Sequence, residues 1–336
     1  MKDGNTRTAR PPPVFSRQNP CMKAVFVDAG PSLRAIAERL GPSRVPGLEL
    51  QFGRPGIAPN ALPEALAGAE IAVIDHTAFP IEIARRCTGV KDVVFLGTGA
   101  RSYMDPEALA AIGITVHIIK GYGDTAVAEC AIGLLFAAAR GFAAMDRGVR
   151  GGQWLRTEGA QLGGKTLGLV GFGGIAAEVT RLGLGIGMKV LAWNRTPKIH
   201  AGVEFVAVER LLAESHAVSM HLLLNDATRG FLSRPRIAAM RPGAILVNTA
   251  RGGLIDEAAM VEALRSGQLG HAGLDVFETE PLPPGHVLTT LPNVTLSAHS
   301  GFRTPEANER LIEAAFAHCL RISGAWPSAG SPHRSL

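Results

Sequence analysis

Three side chains in the second half of the sequence have the chemistry to bind an organic anion and move a proton: Arg251, Glu280 and His299. Arg251 follows the apolar run 244–248 and is flanked by Gly252 and Gly253, which let a ligand come close. Its planar guanidinium matches a carboxylate through two parallel hydrogen bonds. His299 follows the run 294–297 and precedes Gly301. An imidazole titrates near neutrality, so it gives or takes one proton at working pH. Glu280 stands ahead of Pro281-Leu282-Pro283, in a rigid turn, where a carboxylate can orient an imidazole and favour its charged form. Singly, each has a plainer explanation, a solvated charge or a structural histidine. Jointly they fall after three strands, and in open α/β sheets ligands bind beyond the carboxyl ends of the strands.

The second chemistry-bearing stretch is Gly171-Phe172-Gly173-Gly174-Ile175-Ala176. Leu167, Leu169 and Val170 make a buried strand ahead of it, and Val179, Leu182 and Leu184 recur at helical spacing behind it. A further apolar run, 188–193, completes a βαβ unit. Gly171 turns the chain out of the strand, Gly173 leaves room for a pyrophosphate against the backbone, and Ala176 lets the helix pack on the strand. The helix start then offers free N–H groups and a positive dipole end. A lone motif of this kind is weak evidence, but strand before and helix behind form the context that makes it a dinucleotide site rather than a glycine-rich structural turn. At the end of the next strand an acidic residue would bind the ribose of NAD. Asn194-Arg195-Thr196 stand there instead, with Lys198 close by. That favours NADP(H), with NAD(H) second, unless Arg195 is only a solvated charge.

These groups need a scaffold, and the pattern along the chain supplies one. In the first half, strands expected at 23–28, 49–52, 71–75, 93–96 and 114–118 alternate with short helices, which implies a parallel sheet. Loops at the strand ends include Asp75-His76-Thr77 and Gly97-Thr98-Gly99-Ala100-Arg101. A long Ala-rich helix at 125–141 connects to the second half, followed by a loop at Gly151, Gly152 and Trp154. Further strands are expected at 204–206, 217–222, 244–248, 270–275 and 294–297, and a last helix at 305–321. The expected architecture is α/β: two doubly wound parallel-sheet domains, one flavodoxin-like and one Rossmann, with a cleft between. The expected boundaries are 22–121 plus 302–330 for the first and 122–301 for the second.

A chain of 336 residues, 46% hydrophobic and 19% charged, has enough apolar surface for two cores. The formal charge of +5 is scattered, with no basic stripe interleaved with aromatics, which sets nucleic acid aside and suits an anionic substrate and cofactor. Cys21, Cys87, Cys130 and Cys319 lie far apart without a C-x-x-C, arguing against a disulfide framework or a zinc site and for a reducing cytoplasm. Residues 1–21 carry Pro11-Pro12-Pro13 and several Arg but no apolar core, so they read as a disordered extension and not a signal peptide. The longest apolar tract, 126–139, is too short to span a bilayer.

From about Met22 to Arg321 the chain resembles the D-isomer-specific 2-hydroxyacid dehydrogenase family. The matching motifs are Gly171–Ala176, Asn248-Thr249-Ala250-Arg251-Gly252-Gly253-Leu254-Ile255-Asp256, Gly273-Leu274-Asp275-Val276-Phe277-Glu278-Thr279-Glu280-Pro281 and Ser297-Ala298-His299-Ser300-Gly301. The resemblance implies a hydride transfer between NAD(P)H and a small 2-keto acid, glyoxylate or hydroxypyruvate first, and usually a homodimer. It implies Arg251 on the substrate carboxylate, His299 as general acid and base, Glu280 as its support, and Asp275 on the nicotinamide carboxamide. Gly174, Ile175, Leu222, Thr228, Thr249, Ala250 and Ser300 would line the cofactor. Thr77, Thr98, Gly99 and Arg101 would face the substrate.

There are departures from the family pattern. Gly174 replaces the usual arginine, no proline follows His221, and the 99–105 loop is one residue longer and carries Arg101. Phosphite or 3-phosphoglycerate oxidation stays open on account of Arg101. Formate dehydrogenase relatives pair the histidine with glutamine, which Glu280 disfavours. Corepressors of the C-terminal binding protein kind share the three polar groups and remain an alternative of another class.

Overall fold

The computed structural model describes residues 22–45, 48–196 and 198–324, without the side chains of 42–44. The extension expected at 1–21, Cys21, and the end of the first domain beyond 324 lie outside the described residues. The chain divides into two compact units, Met1–Ile118 with Ala315–Leu336, and Ile119–Ala314.

In the first unit β1 (Met22–Phe26), α1 (Pro31–Arg44), β2 (Leu48–Phe52), α2 (Leu62–Ala65), β3 (Ile71–Ile74), α3 (Ile81–Ala84), β4 (Asp92–Phe95), α4 (Pro106–Ala110) and β5 (Thr115–Ile118) alternate. Their five strands are all parallel, in the order β2-β1-β3-β4-β5. This is the flavodoxin order, reversing at β1. Each strand is too short to be stable alone. Val25, Ala72, Ile74, Val93 and Phe95 from the sheet bury themselves with Leu62, Leu66, Phe79 and Leu109 from the covering helices and loops. That two-sided burial is why these strands read as continuous apolar runs.

The second unit holds α5 (Asp124–Arg140), α6 (Phe142–Arg150), β6 (Thr166–Val170), α7 (Gly174–Gly185), β7 (Lys189–Trp193), β8 (Val203–Phe205), α8 (Val208–Glu214), β9 (Ala217–Met220), α9 (Arg234–Ala238), β10 (Ala244–Asn248), α10 (Glu257–Ser266), β11 (Leu269–Leu274) and β12 (Val294–Leu296). The last helix, α11 (Pro305–Ile322), begins in this unit and ends in the other. Seven parallel strands run β12-β11-β10-β9-β6-β7-β8, so the order reverses between β6 and β9. That is the Rossmann arrangement with one strand added, and its switch point is where a dinucleotide binds. α5 and α7 cover one face through Leu134, Leu135, Ala176 and Val179, packed on Leu169, Val190 and Val247. α8, α9 and α10 cover the other through Leu211, Ile237, Met260 and Leu264, packed on Val218, Leu246 and Leu274. α5 lies close on β11 because Gly273 has no side chain. A Cβ there would stand 3.0 Å from the Leu134 side chain.

The elements follow the hydrophobic pattern closely, and α6 is the exception. The long helix ends as expected at Gly141, which takes φ 66, but the chain then re-enters a helix bent by 66° from the first. α6 has no fully buried residue. Without a core-facing stripe, its nine residues read as a loop. No single described helix is long and apolar enough to cross a membrane.

Candidate active site

The turn from β6 into α7 is tight for a local reason. Gly171 takes φ 90, and a Cβ on it would meet the carbonyl oxygen of His221 at 2.7 Å. Gly173 and Gly174 are exposed, and a Cβ on Gly173 would meet nothing within 4 Å, so the cradle is open where a phosphate needs it. Struts from the end of β7 hold the turn. Phe172 N–H donates to Asn194 Oδ1 (3.1 Å), Asn194 Nδ2 donates to the Thr196 carbonyl (2.7 Å), and Lys198 Nζ donates to the Phe172 carbonyl (2.6 Å). Asn194 thus uses both ends of its amide inside the loop, and Lys198 is a brace. Arg195 is exposed and makes no hydrogen bond among the described residues.

Beyond β9 and β10 the edge is lined by polar atoms without partners. His221 Nε2 and Thr249 Oγ1 are sealed from solvent and unpaired among the described residues. Leu222 is partly buried, and Thr228 closes the following loop by donating to the Leu223 carbonyl at 2.6 Å. Asn248, 1% exposed, organises the loop after β10: its Nδ2 donates to the Arg251 carbonyl (2.9 Å) and its Oδ1 accepts from Ala250 N–H (3.0 Å). The Arg251 guanidinium folds back onto the Ala250 carbonyl at 2.6 Å. Gly252 then lies so near the next loop that a Cβ would overlap the backbone of Phe277 and Glu278.

Burial keeps two imidazoles of this unit neutral. His221 and His271, the latter bonded to Thr295 Oγ1 at 3.0 Å, are each pushed down to about 4 from the ordinary 6.5. Their contribution to stability is full above the ordinary value. It is lost as pH falls through the window from 6.5 to about 4, because the unfolded chain takes protons there that the folded chain refuses. Each costs up to roughly 1.4 kcal/mol per pH unit. Denaturant unfolding at pH 7 and pH 5 is expected to show this decline, and His271→Gln should make it shallower.

β11 and β12 carry the proton-handling pair. Asp275, 1% exposed, accepts from Ser297 Oγ (2.5 Å), Ser300 N–H (3.0 Å) and Gly301 N–H (2.9 Å), and its carbonyl accepts from His299 N–H (2.7 Å). This network holds His299 at φ 49, a left-handed conformation that non-glycine residues rarely take. There His299 Nδ1 meets Glu280 Oε2 at 2.6 Å, while Glu280 Oε1 accepts from Phe277 N–H at 2.8 Å. Glu280 and His299 are therefore one hydrogen-bonded unit. The Arg251 loop rests on the loop that carries Glu280, although the guanidinium itself touches neither partner. Cys130 lies behind this network, its thiol pushed up to about 11 by burial and by Asp275.

In the first unit the loop after β3 hangs on Asp28, which the sequence did not single out. Its carboxylate accepts from the backbone N–H of Asp75 (2.8 Å), His76 (2.8 Å) and Thr77 (2.7 Å), and from Thr77 Oγ1 (2.7 Å). Thr77 is buried, with its hydroxyl committed there, whereas Thr98 is exposed and Gly99 half-buried. Arg101 is bonded through two nitrogens to both carboxylate oxygens of Glu107. Tyr103 packs between His76 (5.6 Å) and Phe95 (5.5 Å).

The residues of the second unit fit a nicotinamide dinucleotide: an open cradle at Gly173, a helix start beyond it, and unpaired buried atoms at His221 and Thr249 on the same sheet edge. The sequence matches the family model described as D-isomer specific 2-hydroxyacid dehydrogenase, NAD binding domain, over residues 132–301. It is 36% identical to a hydroxypyruvate reductase of Thermotoga maritima, over 78% of this chain and 88% of the relative. It is 39% identical to a glyoxylate reductase of Aeropyrum pernix, over 62% of this chain and 66% of the relative. Among solved structures, that of a glyoxylate reductase from Paecilomyes thermophila superposes with a TM-score of 0.79 at 29% identity, covering 90% of this chain and 95% of that one.

Proposed function

Since this chain belongs to the D-isomer-specific 2-hydroxyacid dehydrogenase family, and is an oxidoreductase using a nicotinamide dinucleotide, we propose that it reversibly reduces a small 2-keto acid, glyoxylate or hydroxypyruvate, and prefers NADPH to NADH. The observation that carries the reading is the 2.6 Å bond between His299 and Glu280, set beside the Arg251 loop and in the same unit as the dinucleotide turn. When bound, the dinucleotide supplies the hydride in reduction and accepts it in oxidation. His299 engages Glu280 through Nδ1, which leaves Nε2 to give a proton to the keto oxygen, or to take one from the hydroxyl in the reverse direction. Glu280 holds the ring in that tautomer. Arg251 leaves the Ala250 carbonyl for the substrate carboxylate and stabilises the charge that grows on the oxygen. Asp275 keeps the loop in place and remains assigned to the carboxamide, with Gly171, Gly173, Ile175, Leu222, Thr228, Thr249, Ala250 and Ser300 along the cofactor.

NADPH is favoured because Arg195 is exposed and uncommitted among the described residues, where an acidic residue would repel a 2′-phosphate. Asn194 and Lys198 support that choice only by shaping the loop. On the first unit, assigned residues 22–121 with 302–330 as the substrate domain, the backbone at Thr98 and Gly99 keeps the substrate role. The Arg101–Glu107 pair weakens the case for a phosphorylated substrate. A homodimer is part of the proposal, supported by apolar surface at Phe142 (50% exposed), Val149 (53%) and Trp154 (78%). A reducing, cytoplasmic location is supported by the free thiols of Cys87, Cys130 and Cys319.

The test is a panel of 2-keto acids assayed by loss of NADPH or NADH absorbance. Turnover of glyoxylate or hydroxypyruvate is expected, with kcat/KM about tenfold higher for NADPH, and Arg195→Glu should remove that preference. No turnover of any 2-keto acid would overturn the activity. A clear NADH preference would overturn the cofactor choice alone.

A further inference from the structure

We propose that Asp124 sets the affinity for the dinucleotide: its carboxylate stands at the first turn of α7, repels the pyrophosphate while ionised, and takes up a proton when the dinucleotide binds. The inference rests on the dinucleotide reading of the Gly171–Gly174 turn and extends it to a residue that no motif contains.

The geometry begins at Gly174, where the family resemblance leads one to expect an arginine. The place a side chain would take there is filled by another side chain, that of Asp124. A Cβ on Gly174 would overlap Asp124 Oδ2 and lie 2.8 Å from its Cγ, so the carboxylate occupies the place a side chain would take on the first residue of α7. Asp124 is also the first residue of α5. One carboxylate thus stands at the positive ends of two helices that pack against each other. A helix start attracts phosphate by the same N–H groups and the same dipole. An internal anion and an incoming one therefore compete for one short stretch of backbone.

Against those helix ends, no charged side chain among the described residues pairs with the internal anion. Asp124 accepts no hydrogen bond among the described residues. From α7, Glu178 faces it with like charge and is itself paired with Arg181 at 3.0 Å. From α11, Arg310 is held on the carbonyl of Tyr122, two residues earlier, at 2.9 Å. Burial first, and Glu178 second, hold the Asp124 carboxyl above the usual carboxylate range. A pyrophosphate at the same amides raises it further, so protonation and binding favour each other. The proton comes from solvent, and no covalent bond changes.

The sign follows. Below the raised value Asp124 is neutral and the dinucleotide binds at full strength. As pH climbs through it, the carboxylate ionises and affinity falls until the repulsion is fully present. Asp124→Asn keeps the size and removes the charge, so it should bind with that full strength at every pH.

The experiment is calorimetric titration of the full chain and of Asp124→Asn with ADP-ribose and with NAD⁺ from pH 5 to pH 8.5. The ratio of wild-type to variant Kd isolates Asp124, since histidines common to both proteins cancel. The ratio is expected to reach about tenfold at the alkaline end and to decline as pH falls toward the carboxylate range. Repeating the wild-type titration in buffers of different ionisation heat should show net proton uptake on binding, a readout that does not depend on the variant folding. A ratio of one at every pH, weaker binding by the variant, or zero proton uptake throughout would overturn the inference while leaving the dinucleotide reading intact. No binding of either probe, or of NADP⁺, to either protein would overturn the dinucleotide reading itself.

Discussion

His299→Ala is expected to lower kcat by about a hundred- to ten-thousandfold, the range typical of removing a positioned proton donor. The fold should survive, because the side chain is one-third exposed and meets only Glu280 and the edge of the Phe302 ring among the described residues. Residue 299 sits at φ 49, so alanine there carries backbone strain of its own. Asparagine tolerates that left-handed conformation better than alanine, so His299→Asn supplies the second variant. It should lose as much turnover as alanine while melting at the wild-type temperature. Glu280→Gln should cost less, about tenfold in kcat, because the imidazole stays but its orientation loosens. Steady-state assays with the same 2-keto acid decide this. Near-normal kcat in both His299 variants would remove the imidazole from the reaction.

Arg251→Lys, although it preserves the charge, is expected to lose roughly a hundred- to thousandfold in kcat/KM, and Arg251→Ala at least as much. A guanidinium binds a carboxylate with two hydrogen bonds in a fixed fork, and an ammonium cannot reproduce that geometry. The structure bears on how the loss divides. Arg251 is spent on its neighbour's carbonyl, 2.6 Å away, a bond that the proposed substrate role would exchange for the substrate. The alanine variant therefore loses both ground-state binding and charge stabilisation, so KM should rise and kcat fall together. Added guanidinium ion should restore part of the alanine variant's activity and none of the wild type's. Gly252→Ala is the structural companion, since its Cβ would strike the Phe277 and Glu278 backbone and displace the whole loop. Full activity in Arg251→Lys would argue that only a positive charge is needed there.

The proposed chemical site could be assembled from the chain alone because each of its parts is local. A glycine at φ 90 between a strand and a helix, a loop knit by Asn248, and a histidine three residues after a strand each announce themselves within a few positions. The alternation of apolar runs with helical spacing likewise fixed both sheets as parallel, since strands buried on two faces must be apolar throughout. What stayed hidden was whatever depends on partners far along the chain. Asp28 reads only as the end of the strand expected at 23–28 until the fold brings the Asp75–Thr77 amides to it from 47 to 49 residues away. Lys198 reads as a cofactor-facing charge, and only folding turns it onto the Phe172 carbonyl. Asp124 drew no reading in the sequence, just ahead of the helix expected at 125–141, and only the packing of α5 against α7 sets it over Gly174. Local backbone chemistry and burial patterns are written in neighbouring residues, so they survive in one dimension. The assignment of each charge to a partner is made by distances that exist only after two cores have closed.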